Sequence, residues 1–504
     1  MSTGLVAGLD LGTSRLKGVV ADPSGRVVAA AAEPYPTSRT APGAAEQDPA
    51  DWERALRVVL QRLARTTDAS AWSGIGLSAM IPTLVTLDAD GHPVGPAITW
   101  EDARATAEGD AFRERVGGDD LYRRTGQWVD GRYLLPMFAR IRRDEPDRVA
   151  ATVAIAGAKD HLHELLTGRL VTDPSTATGF GCFDLSTGDW DEGLLGAALG
   201  DAAAERPRLP EVEPSAATTP LRDDLAEAYG LPTGIPVSLG AADSVCGALS
   251  LGATRPGNAA VVAGTSSVIL GIAGEPRVDP RHRFLVTPLA RQGWGLEMDL
   301  VSTGSAVAWL ASLLGMADEA DVVTLAAGAE PGARGVVFLP FLGAGEQGAL
   351  WDPSLRGTLA GLTLSHEPGD VARALLEGIV LETRRCLGVL AGASGPAGDV
   401  AVAGWMSSAP LPQWLADATE REVRAATTGS GGASALGAAL VAVGEEWSGA
   451  AGDGTGSPES EDPDAVRHPT APGVERWAEL WARHERVVES VRLAANDDRE
   501  ESVR

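Results

Sequence analysis

Short apolar runs separated by tight polar turns fill the first part of the chain, with the period of strands. Leu5–Leu9, Leu16–Ala21 and Arg26–Ala32 read as a meander, broken by a Gly-Thr-Ser loop and by "DPSG", whose Pro and Gly suit a type I turn. The period then changes. In "EQDPADWERALRVVLQRLAR" the apolar residues Trp52, Leu56, Val59, Leu60 and Leu63 recur at helical spacing, Pro49 can open the helix, and Asp51 and Glu53 favour its first turn. "IGLSAM" and "PTLVTLD" return to strand character, followed by the turn "DADG" and a short strand.

Near residue 237 the pattern starts again. "VSLGAADSVCGALSLG" reads strand, turn, helix, and "NAAVVAGTSSVILGIAG" repeats the opening device, a strand running into Gly264-Thr265-Ser266 and another running out. Two Gly-Thr-Ser loops in matched contexts suggest a duplicated domain, each half offering one loop to a shared cleft. The division predicted is 1–247 and 248–504. Farther on, "GDVARALLEGIVLETRRCLGVLAG" predicts an amphipathic helix with Asp370 as its N-cap. "DVAVAGWMSS" predicts a strand entering a Gly turn, and "LPQWLADAT", "EVRAAT" and "GASALGAALVAVG" predict helix, strand, helix. Residues 449–472, rich in Gly, Ser, Pro and acid, are expected to form a flexible surface loop. A last helix, Val474 to about Leu493, is expected to end in a frayed tail.

Composition narrows the class. A chain of 504 residues is too long for one ordinary core, and its net charge of −27 argues against nucleic acid and anionic membranes as partners. Three separated cysteines and the lack of a long apolar run fit a cytoplasmic protein. Arg nearly replaces Lys, and only Lys17 and Lys159 remain.

The loops suggest the chemistry. Small residues in a tight turn let backbone N–H groups and hydroxyls approach phosphate oxygens, which Gly12, Thr13 and Ser14 offer in one half and Gly264, Thr265 and Ser266 in the other. Asp10, just ahead of the first loop, would be repelled by phosphate unless Mg²⁺ or its water shell stood between; turn capping is the competing reading. Lys17 can offset phosphate charge. Asp243, among small residues at a strand-to-helix junction, could take the proton of an attacking hydroxyl, or could simply cap the helix. Trp100, Asp102 and Arg104 in "ITWEDARA" offer an aromatic face, an acceptor and a donor suited to a polyol, against the plainer reading of a surface strand end.

These pieces, in this order, resemble the FGGY family of carbohydrate kinases. The most specific match is "GTLAGLTLSHEPGDVARALLEG", in which Gly357, Leu359, Gly361 and Leu362, then Asp370, Val371, Ala374, Leu375, Leu376, Glu377 and Gly378, follow a family signature. "LDLGTS", "EQDPADW", "TWEDAR", "KDHLHELLTGRLVTDPSTATG", "AADSVCGALSLG", "AGTSS", "LPFLGAGE" and "ASALGAALVA" follow the family's sequence of motifs. The resemblance implies an α/β fold of two actin-like, ribonuclease-H-like domains flanking a catalytic cleft. It implies ATP and Mg²⁺ as cofactors and transfer of the γ-phosphoryl group to a sugar hydroxyl. Asp243 then matches the general base, Asp10 the Mg²⁺-associated acid, the two Gly-Thr-Ser loops the phosphate sites, and Gly304, Gly404 and Ser408 positions bordering the nucleotide. Lys159 and Asp160 lie in a motif near the sugar cleft without an assigned role. The resemblance allows a homodimer.

Two departures bear on the substrate. Met80, Ile81 and Pro82 stand where xylulokinases usually show Gln-Met-His, so the polar contacts expected on a ketopentose are absent from that strand, and the substrate-binding residues expected are Met80, Ile81, Trp100, Asp102 and Asp243. Trp405 and Met406 follow Gly404 where the family tends to be Gly-rich, which would reshape or stack on the adenine pocket. D-xylulose or a related ketose is the first expectation, then gluconate, then another polyol. A non-catalytic nucleotide or sugar binder is the alternative of another class.

Overall fold

The computed structural model describes residues 4–200, 206–343, 348–352, 355–426, 432–443 and 466–502, with side chains to 494. Most of the predicted loop 449–472 lies outside the described residues; its end carries the short strand Val466–Arg467.

Each half is built on one sheet plan. In the first half the strands Leu5–Leu11, Arg15–Ala21 and Val27–Pro34 form an antiparallel meander. Trp72–Ala79 then pairs parallel to Leu5–Leu11, and Pro236–Ala242 parallel to Trp72–Ala79. In the second half the meander is Ala259–Ala263, Ser267–Ala273 and Trp294–Leu300, with Val400–Gly404 parallel to its first strand and Val423–Ala425 parallel beyond. The strand orders 3-2-1-4-5 are the same. The repeated plan and mixed α/β content are those of two actin-like domains.

Local sequence accounts for the framework. The helix Pro49–Thr66 is capped by Asp48, whose carboxylate accepts the Ala50 N–H, and buries Trp52, Leu56, Val59, Leu60 and Leu63 against the first sheet. The long helix Pro368–Ser394 starts earlier than expected. Glu367 is its N-cap and Pro368 its first residue, while Asp370, at the third position, accepts the Glu367 N–H at 2.9 Å. The last helix runs Ala471–Ser502, so its backbone continues through the stretch expected to fray. It docks on the long helix where His484 Nε2 meets Glu382 Oε1 at 2.6 Å, both buried.

The three largest apolar cores lie one under each sheet and a third around Phe112, Leu135, Phe138 and Phe180, in helices inserted between the first sheet's fourth and fifth strands. Between the two sheets lie the helices Asp243–Ser250 and Ala433–Val443. The second returns from the C-terminal half to pack on the strands Leu5–Leu11 and Trp72–Ala79. The two helices meet so closely that a Cβ on Gly437 would stand 1.9 Å from the Cys246 carbonyl oxygen.

Candidate active site

The register of the first hairpin builds one wall. Asp10 on the first strand lies opposite Lys17 on the second, and their charged groups stand 3.9 Å apart. Asp10 is buried, and Ser78 on the neighbouring parallel strand donates its hydroxyl to Oδ1 at 3.3 Å. Burial raises the Asp10 carboxyl above its usual range, with Lys17 and Ser78 working against it.

The first Gly-Thr-Ser loop is fixed by residues of the predicted motifs. Gln47, from "EQDPADW", donates to the Thr13 carbonyl at 2.7 Å and is itself held by Trp52 Nε1. Tyr35 donates its hydroxyl to the Gly12 carbonyl, and Trp100 Nε1 donates to Thr13 Oγ1 at 3.2 Å. Carbonyls are thus tied back into the protein, and Ser14 remains exposed.

The second loop is held similarly. Gly264 N–H donates to Ser266 O at 2.8 Å, the Ser305 N–H to Thr265 O at 3.0 Å, and Trp405 Nε1 to Gly264 O at 3.2 Å. Gly304 and Gly404 pack against this loop. A Cβ on Gly404, whose φ is +81°, would fall 1.8 Å from Ala263 O, so only glycine fits there. Gly264 and Thr265 are exposed, as is Ser408 beyond the short turn Trp405–Ser407. Gly264, Thr265, Ser266, Gly304, Gly404 and Trp405 are therefore one cluster, and Met406 turns into the core beneath it.

Asp243 is the first residue of its helix; Ala242 occupies the N-cap. Among the described residues its carboxylate accepts only the adjacent Ser244 N–H, at 2.9 Å, and its own carbonyl accepts the Ser434 hydroxyl at 3.0 Å. Burial pushes the carboxyl up to about 7, and the nearby negative charge of Asp10 adds to the rise. A half-buried acid that changes charge near neutrality is suited to exchange a proton with a substrate.

Sequence reading missed the rest of this wall. Glu297 and Asp299 alternate on one face of Trp294–Leu300, and both interact with Asp243. Burial, followed by the charge of Asp299, raises Glu297 to about 8, and burial raises Asp299 as well. Arg132 approaches Asp299 from the inserted helical region, itself held by Asp130 at 2.7 Å. The alternation of Glu297 and Asp299 in "WGLEMDL" is the signal that could have been read; the pairing with Arg132 has no local signal.

A raised carboxyl binds its proton in the folded chain while the unfolded chain has released it. Its contribution to stability is therefore lost as pH rises from the unfolded value towards the folded one. The Glu297→Gln variant is expected to show a flatter loss of thermal stability between pH 4.5 and about 8 than the parent, measured without nucleotide.

Two expected substrate contacts are corrected. Met80 is 1% exposed and belongs to the first half's core, with its N–H bonded to Leu11 O. Asp102 is 2% exposed, and its oxygens accept Ala45 N–H, Arg104 N–H and Arg104 Nε, each near 2.9 Å. Asp102 thus holds Arg104, which reaches Glu46, and has no oxygen turned to a substrate. Ile81 and Trp100 are half-buried at the site's edge.

Two domains of one plan thus carry one small-residue loop each, and Asp243 stands near Asp10 and Lys17 beside the first. Residues 5–250 match the N-terminal domain of the FGGY family of carbohydrate kinases, and residues 259–444 its C-terminal domain. The chain belongs to this family and is an ATP-dependent sugar kinase. It is 30% identical to xylulose kinase of Escherichia coli over 440 residues, 86% of this chain and 89% of that one. It is 29% identical to gluconokinase of Bacillus subtilis over 390 residues, 75% of each. The crystal structure of xylulose kinase from Rhodospirillum rubrum superposes with a TM-score of 0.83 at 31% identity, covering 98% of this chain and all of that one. No helix among the described residues is long and apolar enough to cross a membrane.

Proposed function

We propose that the chain transfers the γ-phosphoryl group of ATP to a hydroxyl of D-xylulose or a related neutral ketose, with Asp243 as general base. The observation that carries this reading is Asp243 itself, half-buried, bonded to one N–H, and poised near neutrality between Asp10 and the Glu297–Asp299 pair. As the acceptor hydroxyl approaches phosphorus, Asp243 takes its proton. The two Gly-Thr-Ser loops, with Lys17, hold phosphate oxygens, Gly304, Gly404 and Ser408 border the nucleotide, and Ile81 and Trp100 border the sugar. In this scheme the first half holds the sugar and the second the nucleotide. Closure of the halves excludes water, the competing acceptor.

Mg²⁺ fits at Asp10. A single hard, buried carboxylate, with one oxygen engaged by Ser78, suits an ion that completes its shell with water and phosphate oxygens. When bound, it would neutralise charge on the phosphates.

The preference for a neutral sugar rests on charge. Asp10, Asp243, Glu297 and Asp299 crowd this wall, and Arg132 is already engaged by Asp130. Arg132, the arginine of this wall, is thus unavailable to a carboxylate substrate such as gluconate. Relatives named gluconokinase, xylulose kinase and glycerol kinase match at similar identity, so the assay must decide. ADP release with Mg·ATP is measured across ketopentoses, aldonates, polyols and glycerol. A ketose should give the largest kcat/KM, and a larger value for gluconate would overturn the substrate assignment. The kcat/KM profile for the sugar should rise with pH through about 7, because the base must be ionised and its folded pKa lies there.

A further inference from the structure

Lys159 is one of two lysines in the chain, and its side chain has no exposed surface. Its Nζ lies 3.1 Å from Asp173 Oδ1 and 3.6 Å from Asp160 Oδ1, and both acids are as deeply buried. Asp160 has a local task, accepting the Gly157 N–H at the start of their shared helix. Asp173 has a wider one. Its Oδ1 accepts the N–H and hydroxyl of Thr176, and its Oδ2 accepts the N–H and hydroxyl of Ser175 and the hydroxyl of Ser215.

Ser175 links this cluster to the reaction. Having donated its proton to Asp173, Ser175 Oγ accepts the Ala242 N–H at 2.9 Å, and the next residue is Asp243. The strand end needs such an anchor. The register of Pro236–Ala242 on Trp72–Ala79 shifts between Ser238 and Ala241, and Gly240 N–H leaves the ladder for the Ser215 carbonyl. Both serines that hold the irregular end therefore converge on Asp173.

Stability alone is a poor reason for such a cluster, since buried ion pairs are often replaceable by apolar residues at no loss. Orientation is a better one. A carboxylate with a fixed cation can accept only, so Ser175 must donate to it and turn a lone pair to Ala242.

We propose that Lys159, Asp173 and Ser175 form a positioning relay for catalysis: the ammonium fixes the carboxylate, the carboxylate orients the serine, and the serine sets the peptide that aims Asp243. None of the three touches substrate. The proposal rests on Asp243 being the base, and the two fail separately in the test.

The test compares Ser175→Ala, Ser175→Thr and Lys159→Met with the parent, with rates normalised to folded protein and KM for ATP measured alongside. A displacement near 1 Å at a reacting group costs up to about 100-fold in rate. Ser175→Ala should lose roughly 10- to 100-fold in kcat with KM for ATP within about twofold, Ser175→Thr should recover part of it, and Lys159→Met should follow Ser175→Ala. If Lys159→Met does not fold, Ser175→Ala decides. A Ser175→Ala enzyme with parental kcat per folded molecule, however unstable, overturns the relay. An active Asp243→Asn enzyme overturns the base assignment instead.

Discussion

Replacing Asp243 by Asn is expected to abolish sugar-dependent ADP release, lowering kcat by a factor of about 10² to 10⁴, while ATP still binds. The substitution keeps the shape of the side chain and its acceptor for the Ser244 N–H, and removes the basic oxygen. Glu297 interacts with Asp243, but burial and Asp299 raise its carboxyl to about 8, so it is a poor base at neutral pH. The measurement is a coupled ADP-release assay with nucleotide binding followed separately by calorimetry. Full sugar-dependent activity in Asp243→Asn would remove Asp243 from the chemistry. Loss of ATP binding together with activity would show damage to the cleft instead.

The second large effect concerns the seam between the two sheets. Gly437→Val should destabilise the protein by about 3 kcal/mol or more, because the new Cβ would fall 1.9 Å from the Cys246 carbonyl. The obstacle is backbone on the helix that begins with Asp243, so no rotamer change relieves it. At roughly 2–4 °C per kcal/mol for a domain of this size, the fall in Tm should reach about 6–12 °C. Gly388→Ala is the control. It lies on the exposed side of the long helix with no atom near the added methyl, and should raise stability by about 0.5–1 kcal/mol. Scanning calorimetry on both variants checks the pair, and a Gly437→Val protein as stable as the parent would mean that the two helices do not pack this tightly.

Both predictions depend on one arrangement: the helix that presents Asp243 is also the helix clamped by Ala433–Val443. Gly8, Gly76 and Gly437 each admit a backbone where any side chain would collide, which is why the motif "ASALGAALVA" is so rich in small residues. The seam between the halves is therefore closely packed, and the helix that carries Asp243 is part of it.

The features that the sequence determined by itself are those set by near neighbours. The period-two runs, "DPSG" and the pattern of Pro49–Thr66 depend on chain sterics and on burying one face, so the first meander, the first two strands of the second and the main helices are legible in the order of residues, while Trp294–Leu300 was not read. The two Gly-Thr-Ser loops and Asp243 at its junction are legible for the same reason, since each needs only a strand and the turn that ends it. Tertiary structure alone decided which chemical groups face the cleft. Met80 and Asp102 read as substrate contacts and proved to be core and anchor, because a strand end does not say which side will be covered. Arg132 and Asp299, and likewise Lys159, Asp173 and Ala242, meet across long stretches of chain. Their interactions depend on burial and on the charge of partners that no local pattern names, and those are fixed only when distant segments have packed, within the first half for Lys159, Asp173 and Ala242 and between the halves for Arg132 and Asp299.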